Sequence, residues 1–307
     1  MLTLIKKRKY RSYLRKSVGE YIFDTLNYIF MLIILIVCVY PFWNVIMQSL
    51  TQPRDANKPS LYLWVTDPSL ASYRRMLRDA DFLRSFLVTF ARIAAAWSIG
   101  IVMTTFLAYA LSRRTLPFRK TITGIVVFTM FFNGGMIPTY ILMRDLKLLN
   151  NFWVLVLPGL VSTYNMIIMR NYFMSLPVEL EESAYIDGAN DFTIMSRIYV
   201  PLSKPILATV SLWIIVAHWN SWFDNLIYTP MRRDLTGLQL YLNQVLVAGT
   251  INVGANPWEY DPMNPNLPVE ATLKATIIVI STVPILVFYP FLQKYFVKGI
   301  IIGSLKG

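Results

Sequence analysis

Hydrophobic residues cluster into six nearly uninterrupted stretches, at 28–48, 86–111, 122–143, 152–172, 206–228 and 275–296. An α-helix rises about 1.5 Å per residue, so each stretch is long enough to cross roughly 30 Å of hydrocarbon. None alternates apolar and polar positions as a barrel strand does, and in lipid only helices or closed barrels satisfy every backbone polar group. The pattern predicts an all-α membrane protein of six transmembrane helices. Polar intervals divide the chain into a basic N-terminal segment at 1–27, a membrane domain at 28–296 and a tail at 297–307. The connections 176–204 and 229–272 are long enough to carry structure of their own. In the third stretch Asn133, Gly134 and Gly135 precede Pro138, which predicts a break or kink.

Composition agrees with lipid as the solvent. Of 307 residues, 55% are hydrophobic and 15% charged, against about a quarter charged in soluble domains. The net charge of +12 raises nucleic acid as a partner. The basic residues flank apolar stretches instead of lining one amphipathic face, however, and point to membrane lipid. The lone Cys38 excludes an intrachain disulfide. The apolar run after the basic start is too long for a signal-peptide core, so the first span is expected to stay as an anchor.

Positive charge also orients the spans. Lys6, Lys7, Arg8, Lys9, Arg11, Arg15 and Lys16 precede the first, Arg113, Arg114, Arg119 and Lys120 follow the second, and Lys294, Lys298 and Lys306 close the chain. Such clusters mark the cytoplasmic side, which places both termini and the 176–204 connection there. The first outer segment dilutes the bias with Arg54, Lys58, Arg74, Arg75, Arg78 and Arg84, offset by Asp55, Asp67, Asp79 and Asp81.

Within 176–204, Pro177 suits a first helical position with Ser175 as its cap, and Glu179, Glu181 and Glu182 complement the positive end of the helix dipole. Asp187-Gly188 signals a turn, Asp191 a cap for a second short helix, and Pro201 and Pro205 its end. The pattern predicts a helix–turn–helix at the membrane surface, either a plain interfacial connector or a docking element.

The run Glu182-Ser183-Ala184, with Gly188, Ile198 and Pro201 at their spacing beyond it, resembles the EAA loop of ABC importer permeases. Ser183 stands where that family has alanine. The resemblance implies the type I importer permease fold in a bacterial inner membrane. It also implies that Glu182, Ser183, Ala184, Asp187, Gly188, Ala189, Ile198 and Pro201 form coupling helices docking on a separate ATPase. Small residues at 183, 184 and 189 would permit close approach, and Glu182 would meet a basic group. The implied partners are a second permease, an ATPase dimer, an extracytoplasmic solute-binding protein and its substrate. No G-x-x-x-x-G-K-[ST] loop occurs. The chain is therefore expected to be no enzyme and to bind no cofactor, with ATP and Mg on the partner ATPase.

The run Ala108-Tyr109-Ala110-Leu111-Ser112-Arg113 is similar to the carbohydrate-uptake branch that includes the maltose permease pair. The tail at 293–307 is similar to that of the smaller subunit of such pairs. Segments 132–140 and 218–225 resemble the subset handling complex oligosaccharides such as aldouronates, pectin fragments or alginate.

Aromatic faces stack on pyranose rings, and amides and carboxylates bond hydroxyls. Candidates for a sugar path are Asn133, then Tyr164 and Asn165 in the middle of the fourth span, then Trp219, Asn220, Asp224 and Asn225 toward the outer end of the fifth. The alternative is an interfacial aromatic belt with amides bonding neighbouring helices, the expected role of Trp222 and Tyr228. His218 is expected to pack between helices, and Arg170 to snorkel to the interface. In the 229–272 connection, the resemblance implies that Gln239, Tyr241, Trp258 and Tyr260 contact the binding protein; a lid touching only its rim is the alternative. A secondary transporter would need internal repeats and buried mid-span charges, and neither stands out. A membrane enzyme lacks a nucleophile–base pair, and a channel lacks a filter. A permease for another solute is the closest alternative.

Overall fold

The computed structural model describes residues 17–52, 55, 62–248 and 270–304, with the backbone alone at 247–248 and 288–304. Every regular element among the described residues is helical. Helix α1 (Val18–Leu50) starts ten residues before its apolar stretch because Ser17 and Glu20 form a capping box: the Ser17 hydroxyl accepts from Glu20 N at 3.2 Å and the Glu20 carboxylate from Ser17 N at 2.8 Å. Short α2 (Ala71–Arg78) lies outside the apolar stretches. Asp79 then caps α3 (Ala80–Ser112), accepting from Asp81 N at 2.8 Å and Phe82 N at 3.0 Å.

Spans three to five are broken. Helices α4 (Arg119–Phe131) and α5 (Met136–Asp145) meet at 112°, with Gly135 at φ 90° and the Asn133 carboxamide accepting from Gly135 N at 2.9 Å. The predicted break is there. The fourth stretch is not one helix: a 3-10 turn (Phe152–Leu155) leads through Pro158 and left-handed Gly159 into α6 (Thr163–Met174). That helix is about 18 Å long, too short for the membrane core. Tyr164 and Asn165 accordingly sit in its first turn and not in mid-span. Helices α7 (Glu179–Ile186), α8 (Asp191–Ile194) and α9 (Val200–Leu202), the last two joined by a π-turn (Met195–Tyr199), occupy the 176–204 connection. The chain then bends by 84° at Ser203 into α10 (Lys204–Asn220), and Pro205 opens that helix rather than ending the one before it. Helices α11 (Phe223–Tyr228), α12 (Leu238–Ala248) and α13 (Glu270–Ser304) complete the chain. Among the described residues, three helices, α1, α3 and the first half of α13, have the length and apolarity of a membrane span, or up to five spans if each bent pair is one.

Helix α3 is central, packing against α2, α6, α10 and α12 while α1 lies along α13. Its buried positions, Phe82, Ser85, Thr89, Arg92, Ala96, Gly100, Thr104, Ala108 and Leu111, recur every three or four residues and form one stripe. Gly100 marks the closest approach: a Cβ there would stand 3.0 Å from the Leu160 carbonyl and 3.6 Å from Ile214 Cδ1. At the other end Phe86 and Phe90 set their rings edge-on to Trp219, at 6.2 and 5.7 Å between centroids. The 229–272 connection is not a free outer loop over its described part. Leu238, Tyr241, Leu242 and Val245 lie on one face of α12, in the same apolar cluster as Phe82 and Trp219.

One charge lies on the stripe. Arg92, 6% exposed, forms an ion pair with Asp224, and its Nε donates to His218 Nδ1 at 3.1 Å. The Asp224 carboxylate also accepts from Ser221 Oγ at 2.6 Å and Asn225 N at 2.9 Å. A buried mid-span charge therefore exists, contrary to expectation, and it staples α3 to α10 and α11.

Two outcomes are expected for the purified protein in detergent. Gly100→Val destabilises by about 1 to 3 kcal/mol through overpacking and lowers the thermal midpoint, whereas Gly124→Ala, with nothing within 4 Å of the new Cβ, leaves it in place. Arg92→Met alone strands Asp224 and costs about 3 kcal/mol, while the double variant Arg92→Met/Asp224→Asn recovers much of the loss, as differential scanning fluorimetry would read.

Candidate functional site

The helix–turn–helix expected at 176–204 forms, with different caps. Helix α7 begins at Glu179 with no side-chain cap, and the Ser175 hydroxyl instead donates to the Tyr172 carbonyl at 2.7 Å, at the end of α6. Asn190, not Asp191, caps α8, accepting from Thr193 N at 2.9 Å. An amide one residue earlier satisfies the same orphan N–H groups, which frees Asp191 to accept the Tyr185 hydroxyl. That hydrogen bond, with burial, pushes the Tyr185 phenol up to about 12, so it stays a neutral donor. Asp187 ends α7, and Gly188 follows at φ 80°, where Gly188 N donates to the Tyr185 carbonyl at 3.0 Å and Ala189 N to the Ala184 carbonyl at 2.9 Å. A glycine is required by that backbone, not by crowding, since a Cβ would meet nothing within 4 Å.

Successive helical residues project about 100° apart, so α7 has two functional faces. Ala184 is buried, and Ala189 and Ile198 are half-buried in the core of α3, α6 and α10; the small side chains at 184 and 189 admit this chain's own spans. Glu182, Ser183, Gly188 and Pro201 are exposed, as are Ile186 at 87% and Phe192 at 62%. Phe192 stacks on Phe106 of α3 at 6.3 Å, beside a cavity of about 480 Å³ that Tyr109, Arg113 and Asp191 also line. Arg113 is not a surface charge. It forms an ion pair with Glu181, its side chain 9% exposed. Arg170 does not snorkel but donates from Nε to the Leu111 carbonyl at 2.8 Å, closing the end of α3.

The path candidates separate into engaged and open groups. Trp219 is 3% exposed and donates from Nε1 to the Ser281 carbonyl at 3.2 Å. Asn225, 1% exposed, donates to Thr229 Oγ1 at 2.6 Å and the Leu235 carbonyl at 3.0 Å and accepts from Gly237 N at 2.6 Å. Asp224 is held by Arg92. These three are spent inside the chain, and the fold explains their presence in the sequence. Asn165 is buried at the start of α6, while Asn133 at the broken helix, Tyr164 beside Trp213 and Asn220 at the end of α10 are exposed. Tyr228 is buried and stacks on Tyr140, so it belongs to packing rather than to a belt. Of the outer-loop candidates, Gln239 is half-buried on α12, and Tyr241 packs against Phe82 and donates to the Asp79 carboxylate at 3.4 Å. Trp258 and Tyr260 lie outside the described residues, as do the terminal basic residues at 1–16 and Lys306.

Arg92 and Glu181 carry more geometry than sequence inspection assigned them. Arg92 was detectable as a charge in the first third of an apolar stretch; Glu181 had no signal to separate it from its neighbour.

The family model for binding-protein-dependent transport system inner membrane components matches residues 4–223. The polygalacturonan/rhamnogalacturonan transport system permease protein YtcP of Bacillus subtilis is 37% identical over 93% of this chain and 99% of its own length. LplC of the same organism is 36% identical over 93% and 95%. A crystal structure of a bacterial ABC transporter involved in the import of the acidic polysaccharide alginate has a chain that superposes with a TM-score of 0.85 at 31% identity, covering 92% of this chain and 99% of that one. A chain of the alginate transporter in complex with a pentasaccharide-bound periplasmic protein has a TM-score of 0.57 at 14% identity, covering 89% and 93%, a likeness of fold alone. The apolar helices, the broken spans and the helix–turn–helix at 179–202 are thus those of a transport subunit, and the chain belongs to the family of binding-protein-dependent transport system inner membrane components.

Proposed function

We propose that this permease forms half of the pore of an ATP-driven oligosaccharide importer in a bacterial inner membrane, crossing six times with both termini in the cytoplasm. A second permease completes the pore, an ATPase dimer carrying ATP and Mg drives it, and a solute-binding protein delivers the cargo from outside. The observation that carries this reading is the two-faced α7. One face is packed into the spans, and the other leaves Glu182, Ser183 and Ile186 exposed, with nothing packed over them among the described residues. Asp187 and Gly188 hold the turn, and Ile198 and Pro201 set the return to α10.

Cargo is read from relatives. A polygalacturonan/rhamnogalacturonan permease at 37% identity and an alginate importer at 31% both handle uronate-containing polysaccharides, so acidic oligosaccharides are the proposed class. Asn133, Tyr164 and Asn220 are the exposed groups proposed to meet them, with Asn165 buried beside Tyr164 and Trp219, Asp224 and Asn225 shaping the wall behind. Gln239 and the segment containing Trp258 and Tyr260 are the proposed contacts for the binding protein, with Tyr241 anchoring α12. Purification with the products of neighbouring genes, followed by measurement of ATP turnover with the binding protein empty, loaded with an oligouronate, or loaded with a neutral oligosaccharide, tests the reading. Stimulation by the oligouronate-loaded form alone is expected.

Gly188→Val places a branched side chain in a left-handed conformation, a strain of about 1 to 2 kcal/mol, and turns α8 away from α7. Membrane insertion and complex yield are expected to hold while stimulated uptake is lost; a variant that transports normally refutes the docking role of this turn.

A further inference from the structure

The two adjacent glutamates of α7 face different ways, and only one is exposed. Glu181 turns inward and pairs with Arg113, the residue that ends α3; the side chains are 17% and 9% exposed. The guanidinium lies between two aromatic rings, 4.6 Å from the Tyr109 centroid on α3 and 4.3 Å from the Tyr199 centroid on the π-turn. The Tyr199 hydroxyl donates to the same Glu181 carboxylate at 3.1 Å. Four side chains from three elements therefore close one desolvated unit joining α7, the π-turn after α8, and α3. Tyr109 and Tyr199 also pack edge-to-face at 5.3 Å, and both contact Phe173 of α6.

We propose that the Arg113–Glu181 pair, clamped by Tyr109 and Tyr199, is the strut through which displacement of the docking helix is transmitted into α3, and that Arg113 and Glu181 are positioning residues for transport. This inference rests on the coupling reading of α7 given above. The attraction of a desolvated ion pair falls with separation, the Tyr199–Glu181 hydrogen bond weakens with distance and angle, and the flanking rings hold the guanidinium between them. Helix α7 therefore cannot slide along α3 without either breaking the pair or carrying α3 with it. An apolar contact in the same place would tolerate the slide. Glu182, one residue on, points outward and is free to engage a partner, so the two glutamates divide the work.

The test is uptake per ATP hydrolysed by the complete transporter in proteoliposomes, for the wild type, Glu181→Gln, Arg113→Lys and Tyr199→Phe. Tyr199→Phe removes one hydroxyl and is the variant safest for folding. Expected is an unchanged yield of assembled complex and unchanged basal ATP turnover. Uptake per ATP should fall by about threefold to tenfold for Glu181→Gln and Arg113→Lys, the scale of a single coupling element, and less for Tyr199→Phe. The losses in the double variant Glu181→Gln/Arg113→Lys should be no greater than in either single variant. Unchanged uptake per ATP in Glu181→Gln and Tyr199→Phe overturns the strut while leaving the importer reading intact. Parallel loss of yield and uptake in all three single variants also overturns it, since that is the behaviour of a merely structural pair. A wild-type complex that does not couple ATP to uptake removes the importer reading and the strut with it.

Discussion

Helix association in lipid has no hydrophobic term to draw on, because acyl chains are as apolar as leucine; close packing and interhelical polar contacts must supply the attraction. The stripe along α3 meets that constraint. Ser85, Ala96, Gly100 and Ala108 keep the helix surface low, so α6 and α10 approach closely, and the Leu160 carbonyl lies 3.0 Å from where a Cβ of Gly100 would be. Two threonines of α3 use their hydroxyls across the seam: Thr105 Oγ1 donates to Met169 Sδ at 3.6 Å, and Thr89 Oγ1 accepts from Leu238 N at 2.8 Å. Four other helices rest on this one surface. A bulky side chain in place of Gly100 would push apart the segments that meet there.

The broken spans follow from the second constraint that lipid imposes, that backbone groups freed by a break must find partners within the protein or in water. Each break carries its own supply. Asn133 covers Gly135 N, Ser162 caps α6 through Asn165 N at 3.4 Å, and Ser203 N reaches the carbonyls of Tyr199 and Val200 at 3.0 and 3.2 Å. Irregular backbone of this kind is tolerated only where it lines protein or a wet cavity. That is the reason for reading Asn133 and its flanking glycines as pathway elements rather than as a packing defect.

Much of this could be read from residue order alone, and the omissions have physical causes. Gly188 and the Asn133–Pro138 break were legible because a left-handed turn and a helix break each demand particular residues. The 152–172 stretch was misread as continuous because hydropathy averages over Pro158-Gly159, the pair that ends the first turn. Helix α12 lies in a connection expected to carry structure of its own, and Leu238, Tyr241, Leu242 and Val245 carry the helical period that was not read there. Trp219 and Asn225 looked like sugar contacts because the same chemistry that binds a pyranose also closes a buried seam. Sequence order cannot say which use a side chain is put to; only the partners across the seam decide it.

Two buried arginines tie α3 to other elements at two levels of the molecule. Arg92 and Arg113 are 21 positions apart on α3, roughly 32 Å along its axis. Each is paired with a carboxylate borne by another element: Arg92 with Asp224 on α11, within the helix, and Arg113 with Glu181 on α7, at its C-terminal end. Buried ion pairs contribute little net stability compared with apolar packing, because desolvation offsets their attraction. Two of them on one helix are therefore poorly explained as stabilisers. What they provide is direction: each fixes a position and an orientation that apolar surfaces leave loose. A continuous helix pinned within its length at Arg92 and again at its C-terminal end cannot shift at one point without straining the other. The strut proposed between α7 and the C-terminal end of α3 is thereby on the same rigid helix as Arg92, where α3 meets α10 and α11.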